Sequence, residues 1–332
     1  ILKGFPIFDL ERIEVLRGPQ PILFGKNAIA GAVNLISARP TDEFGGSVRV
    51  RYEAETSEKA IEGVVSGPFS ETFGARLAVR YRESKGYVDN LTLGEDEPNR
   101  TDTFGRLTFA WTPSENFDAT LKVETGHFDV NGRQVEVFGE LAAAPVLRPN
   151  GTTLTPPIPG LTYSQILRNA FGQNVGVLNN TVDYKRSSNG DVSIMEPTEA
   201  ALTMNWRFGN GITLTSVTGF SQYSLEEGCD CDFTGANVFT AGITEDYNQI
   251  SQELRLTSAK DQKLSWIAGA FLQNYQLDES DFIFVPGNSV IVPLLNGNPA
   301  LPMGAGTAFA NTRNPRVFKQ DSEMFALFAR HQ

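Results

Sequence analysis

The sequence predicts an all-β chain, part of a large antiparallel transmembrane β-barrel with about ten strands in view. Three observations predict it. Apolar and polar residues alternate with period two over long runs. Many of these runs reach the ~9–11 residues that cross a bilayer as a tilted strand, whereas the mean strand of a soluble domain is about 5–6. The connections also alternate between short and long, as they do between the two ends of an outer-membrane barrel. A soluble sandwich has no reason to sort its connections by parity.

The runs follow in order. "FGGSVRVRYEAE" sets Val48, Val50 and Tyr52 on one face against Arg49, Arg51 and Glu53. "FGARLAVRYRE" sets Leu77, Val79 and Tyr81 against Arg76, Arg80 and Arg82. "GRLTFAWTP" sets Leu107, Phe109 and Trp111 against Arg106 and Thr108. "NFDATLKVETGH" sets Phe117, Leu121 and Val123 against Asp118, Lys122 and Glu124. Each is the two-faced strand of a sheet with one apolar side. Short turns are expected at Gly67–Thr72, Thr112–Asn116, Gly209–Gly211 and Ser258–Lys263. Longer loops are expected at Gly86–Arg100, Val130–Gly190, Glu227–Ile243 and Asp281–Arg316, with a short exception near Glu55–Glu58. Counted from an upward strand at Phe44, every long loop falls at the outer end. The Val130–Gly190 stretch, rich in Asn, Gly, Pro and Thr, reads as a long loop without elements of its own.

Composition narrows the classes. The 332 residues are 40% hydrophobic with a net charge of -11, which excludes a disordered polymer and argues against nucleic acid as a partner. No run approaches the roughly 18 apolar residues of a membrane helix, but barrel strands carry a far weaker hydropathy signal. Two cysteines make no general disulfide framework. The first residue is Ile1, and "MFALFARHQ" ends inside an alternating run, so the expectation is a piece of a longer protein.

The opening departs from the alternation. "DLERIEVLRGPQPILFG" packs charged pairs, two prolines and two glycines into a short stretch. "LERIEVLRGP" predicts a strand and turn, "QPILFGKNAIAGAVN" a loop followed by a small-residue turn or short helix, and "LISARP" a last strand. Residues 9–40 resemble the C-terminal end of the plug domain of TonB-dependent outer-membrane receptors. The resemblance rests on "IEVLRGP" (Ile13 to Pro19), Phe24-Gly25, Asn27-Ala28, Gly31-Ala32-Val33-Asn34, Leu35-Ile36 and Arg39-Pro40. It departs from the family pattern at Gln20-Pro21-Ile22 and at Ala30. "SQELRLTS" and "LSWIAGAFLQ", residues 251–258 and 264–273, resemble the same family's barrel.

The resemblance implies a division into residues 1–40, the end of a plug domain, and 41–332, the first part of a barrel. A plug needs a wide lumen, which barrels of about 22 strands provide, so about half of the barrel is expected outside this chain. It also implies the outer membrane of a Gram-negative bacterium and energy-coupled uptake of a scarce substrate, a ferric siderophore first. The implied partners are that small molecule, outer-membrane lipid and the TonB–ExbB–ExbD complex, the last through a segment before residue 1. No cofactor is implied. The alternative is a passive porin or channel without a true plug, with residues 9–40 as an arm or constriction loop. An enzyme is not expected: His127 and His331 are the only histidines, and neither has a nucleophile set around it.

Several residues are singled out. The resemblance places Arg17 against the barrel wall, with Glu253 in "SQELRL" its candidate partner, an ion pair tying plug to barrel. Gly18, Pro19, Gly25 and Gly31 read as plug-turn residues, because no phosphate-loop spacing surrounds them. The loop aromatics Tyr87, Phe138, Tyr163, Phe233 and Phe239 are candidates for ligand contact. Cys229 and Cys231 lie on an oxidising route that admits a local disulfide, although an i to i+2 bridge is geometrically demanding. No metal is expected there, since no His or further Cys stands nearby and the carboxylates Glu226, Glu227, Asp230 and Asp232 lack EF-hand spacing.

Overall fold

Period-two alternation has folded into strands throughout. The computed structural model describes residues 7–18, 30–147, 151, 153–154, 160–173, 175–259, 264–297 and 302–331. In chain order the strands are β1 (Leu10–Arg17), β2 (Gly31–Ser37), β3 (Gly45–Glu53), β4 (Glu58–Ser70), β5 (Phe73–Ser84), β6 (Val88–Asn90), β7 (Glu95–Glu97), β8 (Asn99–Ser114) and β9 (Phe117–Asn131). They continue with β10 (Val146–Leu147), β11 (Thr153–Leu154), β12 (Lys185–Arg186), β13 (Val192–Arg207), β14 (Thr213–Cys229), β15 (Thr240–Thr257), β16 (Trp266–Val285) and β17 (Thr312–His331). Short helices lie between them: α1 (Tyr163–Phe171), α2 (Ile291–Asn296) and α3 (Ala305–Phe309). None is long and apolar enough to cross a membrane.

Ten strands form one antiparallel sheet in the order β17-β16-β15-β14-β13-β9-β8-β5-β4-β3. Each long strand pairs with its nearest long neighbour in sequence, and the register keeps one face apolar from strand to strand. Val48, Phe325 and Leu327 on that face are 76%, 62% and 73% exposed, which marks it as the surface that meets lipid. The turns at 71–72 and 115–116 close one end of the sheet, and the long loops close the other.

Several strands outrun their expected limits. Loops were expected over Glu227–Ile243 and Asp281–Arg316, but β15 already begins at Thr240, β16 runs to Val285 and β17 starts at Thr312. The extra length does not alternate: Phe282, Ile283, Phe284 and Val285 of β16 pair with Pro315, Asn314, Arg313 and Thr312 of β17. Backbone pairing continues the ladder after the alternation has ended, so hydropathy stops marking the strand before the strand stops.

The opening is a separate hairpin, with Val15 opposite Val33 and Arg17 opposite Gly31. "GAVN" was expected as a turn or short helix; it is the first half of β2, because Ala32 and Val33 pair with Leu16 and Val15. Gly31 has φ +152°, and a Cβ there would lie 2.4 Å from the Leu16 carbonyl oxygen, so glycine is required. Gly18, at φ +82°, starts the turn; Pro19 and Gly25 lie outside the described residues.

The long loop is also more ordered than expected. Thr162 caps α1 in a capping box with Gln165, and Gly172 ends the helix in the left-handed conformation at φ 65°. "TYSQILRNAFG" carries both signals in its sequence.

Candidate functional site

The inner face of the sheet is identified by what rests on it. Phe8 and Asp9, just before β1, sit on β5, β8 and β9. Phe8 is buried with Ala78, Phe104 and Phe128, its ring edge-on to Phe104 at 5.4 Å. The Arg76 guanidinium grips the Asp9 carboxylate, its Nε donating at 3.0 and 3.2 Å. Arg106 donates from Nη1 to the carbonyls of Phe8 at 3.0 Å and Asp9 at 3.2 Å. Its Nε donates to Glu124, which Lys122 also holds at 2.8 Å. Arg106 and Glu124 are 5% and 4% exposed, so this is a dry pair bound on every side. Alternation explains it: Arg76, Arg106, Lys122 and Glu124 all stand opposite the lipid-facing positions of their strands.

The basic residues of this wall do not make an open positive stripe. Arg49 and Arg80 meet Glu62, Arg51 and Arg82 meet Glu58, and Arg82 and Arg100 meet Asp102. The wall is a cross-strand ladder of guanidinium and carboxylate.

Register carries the inner face onward, from Lys122 to Ala201, Gly219 and Ser251. Beyond the ladder it turns aromatic. Tyr223 and Tyr247 stack with centroids 5.1 Å apart, and Tyr275 follows Tyr247 at 5.7 Å. The Tyr223 hydroxyl donates to Glu245, and the Tyr247 hydroxyl to Gln249 Oε1 at 2.6 Å. With Lys122, Glu199 and Ser221 the rings of Tyr223 and Tyr247 line a cavity of about 740 Å³. A pocket of planar faces, amides and carboxylates suits a polar ligand with flat groups. The tyrosines sit at ordinary alternating positions and were not singled out from the sequence; their alignment depends on cross-strand register.

A loop cluster stands over this wall. Arg186, 3% exposed, is its hub: Nη2 donates to Asp191 Oδ2 and Nη1 to the Arg133 carbonyl, both at 2.9 Å, and Nη1 lies 3.2 Å from Glu97. Asn90 donates to Glu97 at 2.8 Å and to the Ser188 carbonyl at 3.1 Å. Burial pushes the Glu97 carboxyl above its ordinary value, against the pull of Asn90 and Arg186. Gly132 holds φ +89° with the Glu97 side chain 2.4 Å from where a Cβ would lie. Gly132→Ala is therefore expected to lower stability by about 1–3 kcal/mol, read by thermal unfolding of the complete protein in detergent.

The singled-out residues fall in different places. Glu253 is on the inner face, its Oε1 3.1 Å from Arg255 Nη1, and Arg17 ends β1. Cys229 and Cys231 are joined in a disulfide at the tip of β14. Tyr163 and Phe239 pack against the buried Leu167, Val177 and Ala236, where they hold loops together. Tyr87 meets Tyr184 edge-on at 6.1 Å, Phe138 is 86% exposed, and Phe233 follows the disulfide. His127 Nδ1 lies 3.0 Å from Glu196 on the outer face.

Residues 1–32 match the model of the TonB-dependent Receptor Plug Domain family. The ferric enterobactin receptor PirA of Pseudomonas aeruginosa is 32% identical over 131 residues, 34% of this chain and 17% of that relative. An iron-regulated outer membrane virulence protein of Vibrio cholerae is 27% identical over 126 residues, 36% of this chain and 18% of its own length. The match thus spans less than a fifth of these curated relatives. Among solved structures, the outer-membrane ferripyoverdine receptor of P. aeruginosa superposes with a TM-score of 0.65 at 14% identity, over 97% of this chain and 39% of that one. The ferric yersiniabactin uptake receptor FyuA of Yersinia pestis gives 0.60 at 12% identity, over 97% and 49%. At such identities the likeness is one of fold.

Proposed function

We propose, on the premise that this chain belongs to the TonB-dependent receptors of the Gram-negative outer membrane, that it serves energy-coupled uptake of a ferric siderophore. The observation that carries the reading is the seat of Phe8 and Asp9 on Arg76 and Arg106: a chain entering the barrel is bound to its inner wall. A passive channel has no use for a buried ion pair spent on the segment that narrows its lumen. Residues 1–40 act as the end of the plug and 41–332 as barrel. Arg17 and Glu253 make a second plug-to-barrel contact as the plug rearranges. The partner that moves the plug is the TonB–ExbB–ExbD complex, and no enzymatic step is required. Loop aromatics, Tyr87 and Phe138 first, meet the ligand outside, and the tyrosine wall takes it inward.

Iron-starved cells carrying the complete gene should accumulate siderophore-bound radioactive iron, and deleting TonB should abolish this; equal accumulation without TonB contradicts the reading. Tyr247→Ala is expected to weaken ligand binding about tenfold, near 1.4 kcal/mol, in a fluorescence titration. A double-mutant cycle on Arg17 and Glu253 should give a coupling of about 0.5 kcal/mol or more, and a value near zero removes that contact.

A further inference from the structure

Asp230 and Asp232 flank the second cysteine of the disulfide, which pins the short segment between β14 and β15. Asp230 is 1% exposed. Its Oδ2 accepts from the Asn189 amide at 2.7 Å, while its Oδ1 is buried with no partner. Asp232 Oδ1 accepts from the amide and hydroxyl of Thr234, at 3.0 and 2.5 Å, and its Oδ2 is likewise buried and unpartnered. The two carboxylates thus flank one residue, and each keeps a buried oxygen without a partner. Two bare anions in a dry site repel strongly, and something positive must stand between them.

The neighbours do not supply it. Asp191, whose Oδ1 accepts from the Asp230 amide at 3.0 Å, adds a third carboxylate. The nearby cations Arg133 and Arg186 are engaged with Asp191, and Arg186 also with Glu97. From α1, Tyr163 brings a phenol that burial pushes far up, so it stays neutral. Ser188, Asn189 and the Phe239 amide complete the surround with neutral donors. Among the described residues no group of three or more metal-ligating side chains is assembled.

We propose that Asp230 and Asp232 share a single proton, and that this proton latches the 230–239 loop to Asn189 of the long outer loop. In the latched state the protonated carboxyl donates its O–H to the other carboxylate. On release the proton goes to water, the pair carries two negative charges, and their repulsion loosens the loop. The Asn189 side chain, which donates to the Ala236 carbonyl at 2.9 Å, is freed with it.

The sign follows from burial. Burial pushes the Asp230 carboxyl up to about 7 from an ordinary value of 3.8, with the like charge of Asp232 adding to it. A raised carboxyl stabilises the latched state fully below its unfolded value, and that stabilisation is lost as pH rises through about 7. The latch is a property of the loop cluster and stands whether or not the ligand reading holds.

The test is hydrogen–deuterium exchange on the complete protein in detergent, corrected for intrinsic rates, between about pH 5 and about pH 9. Protection of 187–191 and 230–239 should fall as pH rises towards 7, by up to about tenfold per pH unit, the limit for one proton, and level off above it. Asp232→Asn should flatten that profile. A flat wild-type profile, or an unchanged slope in Asp232→Asn, overturns the proposal. So does protection that follows calcium chloride or EDTA and not pH, which would make the occupant a metal ion. Should the variant leave the loop open at every pH, the wild-type infrared band of a protonated carboxyl decides. Its loss through pH 7 and its absence in Asp230→Asn support the latch, and a band that does not titrate there overturns it.

Discussion

Arg106→Ala should detach the segment before β1 from the sheet and cost about 3–5 kcal/mol, the effect of removing one partner from a buried ion pair. The side chain holds two main-chain carbonyls and Glu124, and its guanidinium lies 5.2 and 5.6 Å from the rings of Phe8 and Phe104. Without it Glu124 keeps Lys122 among the described residues, and the carbonyls of Phe8 and Asp9 lose this donor. Thermal unfolding in detergent reads the stability. Sensitivity of cells to a large antibiotic that the intact receptor excludes reads the detachment. Arg106→Lys keeps the charge but not the fork and should fall between wild type and alanine. An alanine variant as stable and as tight as wild type would show that the pair does not seat the plug.

Arg186→Ala should unlock the outer loops, with a cost of similar size confined to them. Among the described residues, Arg186 joins Glu97 of the first long loop to Asp191 and to the Arg133 carbonyl of the second. Its loss leaves Glu97 and Asp191 as neighbouring buried anions, with Arg133 the remaining cation at 3.3 Å from Asp191. Hydrogen exchange should rise around 88–97 and 185–191 and leave β13 to β16 protected, because those strands hold one another through the sheet. Exchange that rises equally throughout would mean that the loops are part of the same cooperative unit as the barrel.

Much of the fold was legible in the sequence. Alternation in "VRVRY" and "RLAVRY" assigns each strand its inner and outer face, and Arg76, Arg106 and Lys122 stand where alternation puts them. Strand ends were less legible: Phe282 to Val285 and Thr312 to Pro315 do not alternate, and pairing alone carries those strands on. α1 was legible in its cap residues but hidden among the prolines and glycines around it. The site was legible least. Arg76 joins Asp9 across a sequence separation of 67, Arg186 reaches Glu97 across a long loop, and three tyrosines line up through register. Such contacts are set by three-dimensional closure, and no local pattern encodes them. The expectation for contact with the wall named Arg17 and Glu253; Phe8 and Asp9, which the sequence did not single out, rest on the wall.

The central claim is that the start of this chain is bound to the inner wall and must leave it for transport. Phe8→Cys and Ala78→Cys, introduced together into the complete receptor, replace two side chains of one buried cluster. Oxidation in cells should link them, stop siderophore-iron uptake and leave ligand binding at the surface unchanged, with reduction restoring uptake. Failure to link, or uptake that continues with the link in place, would contradict the account.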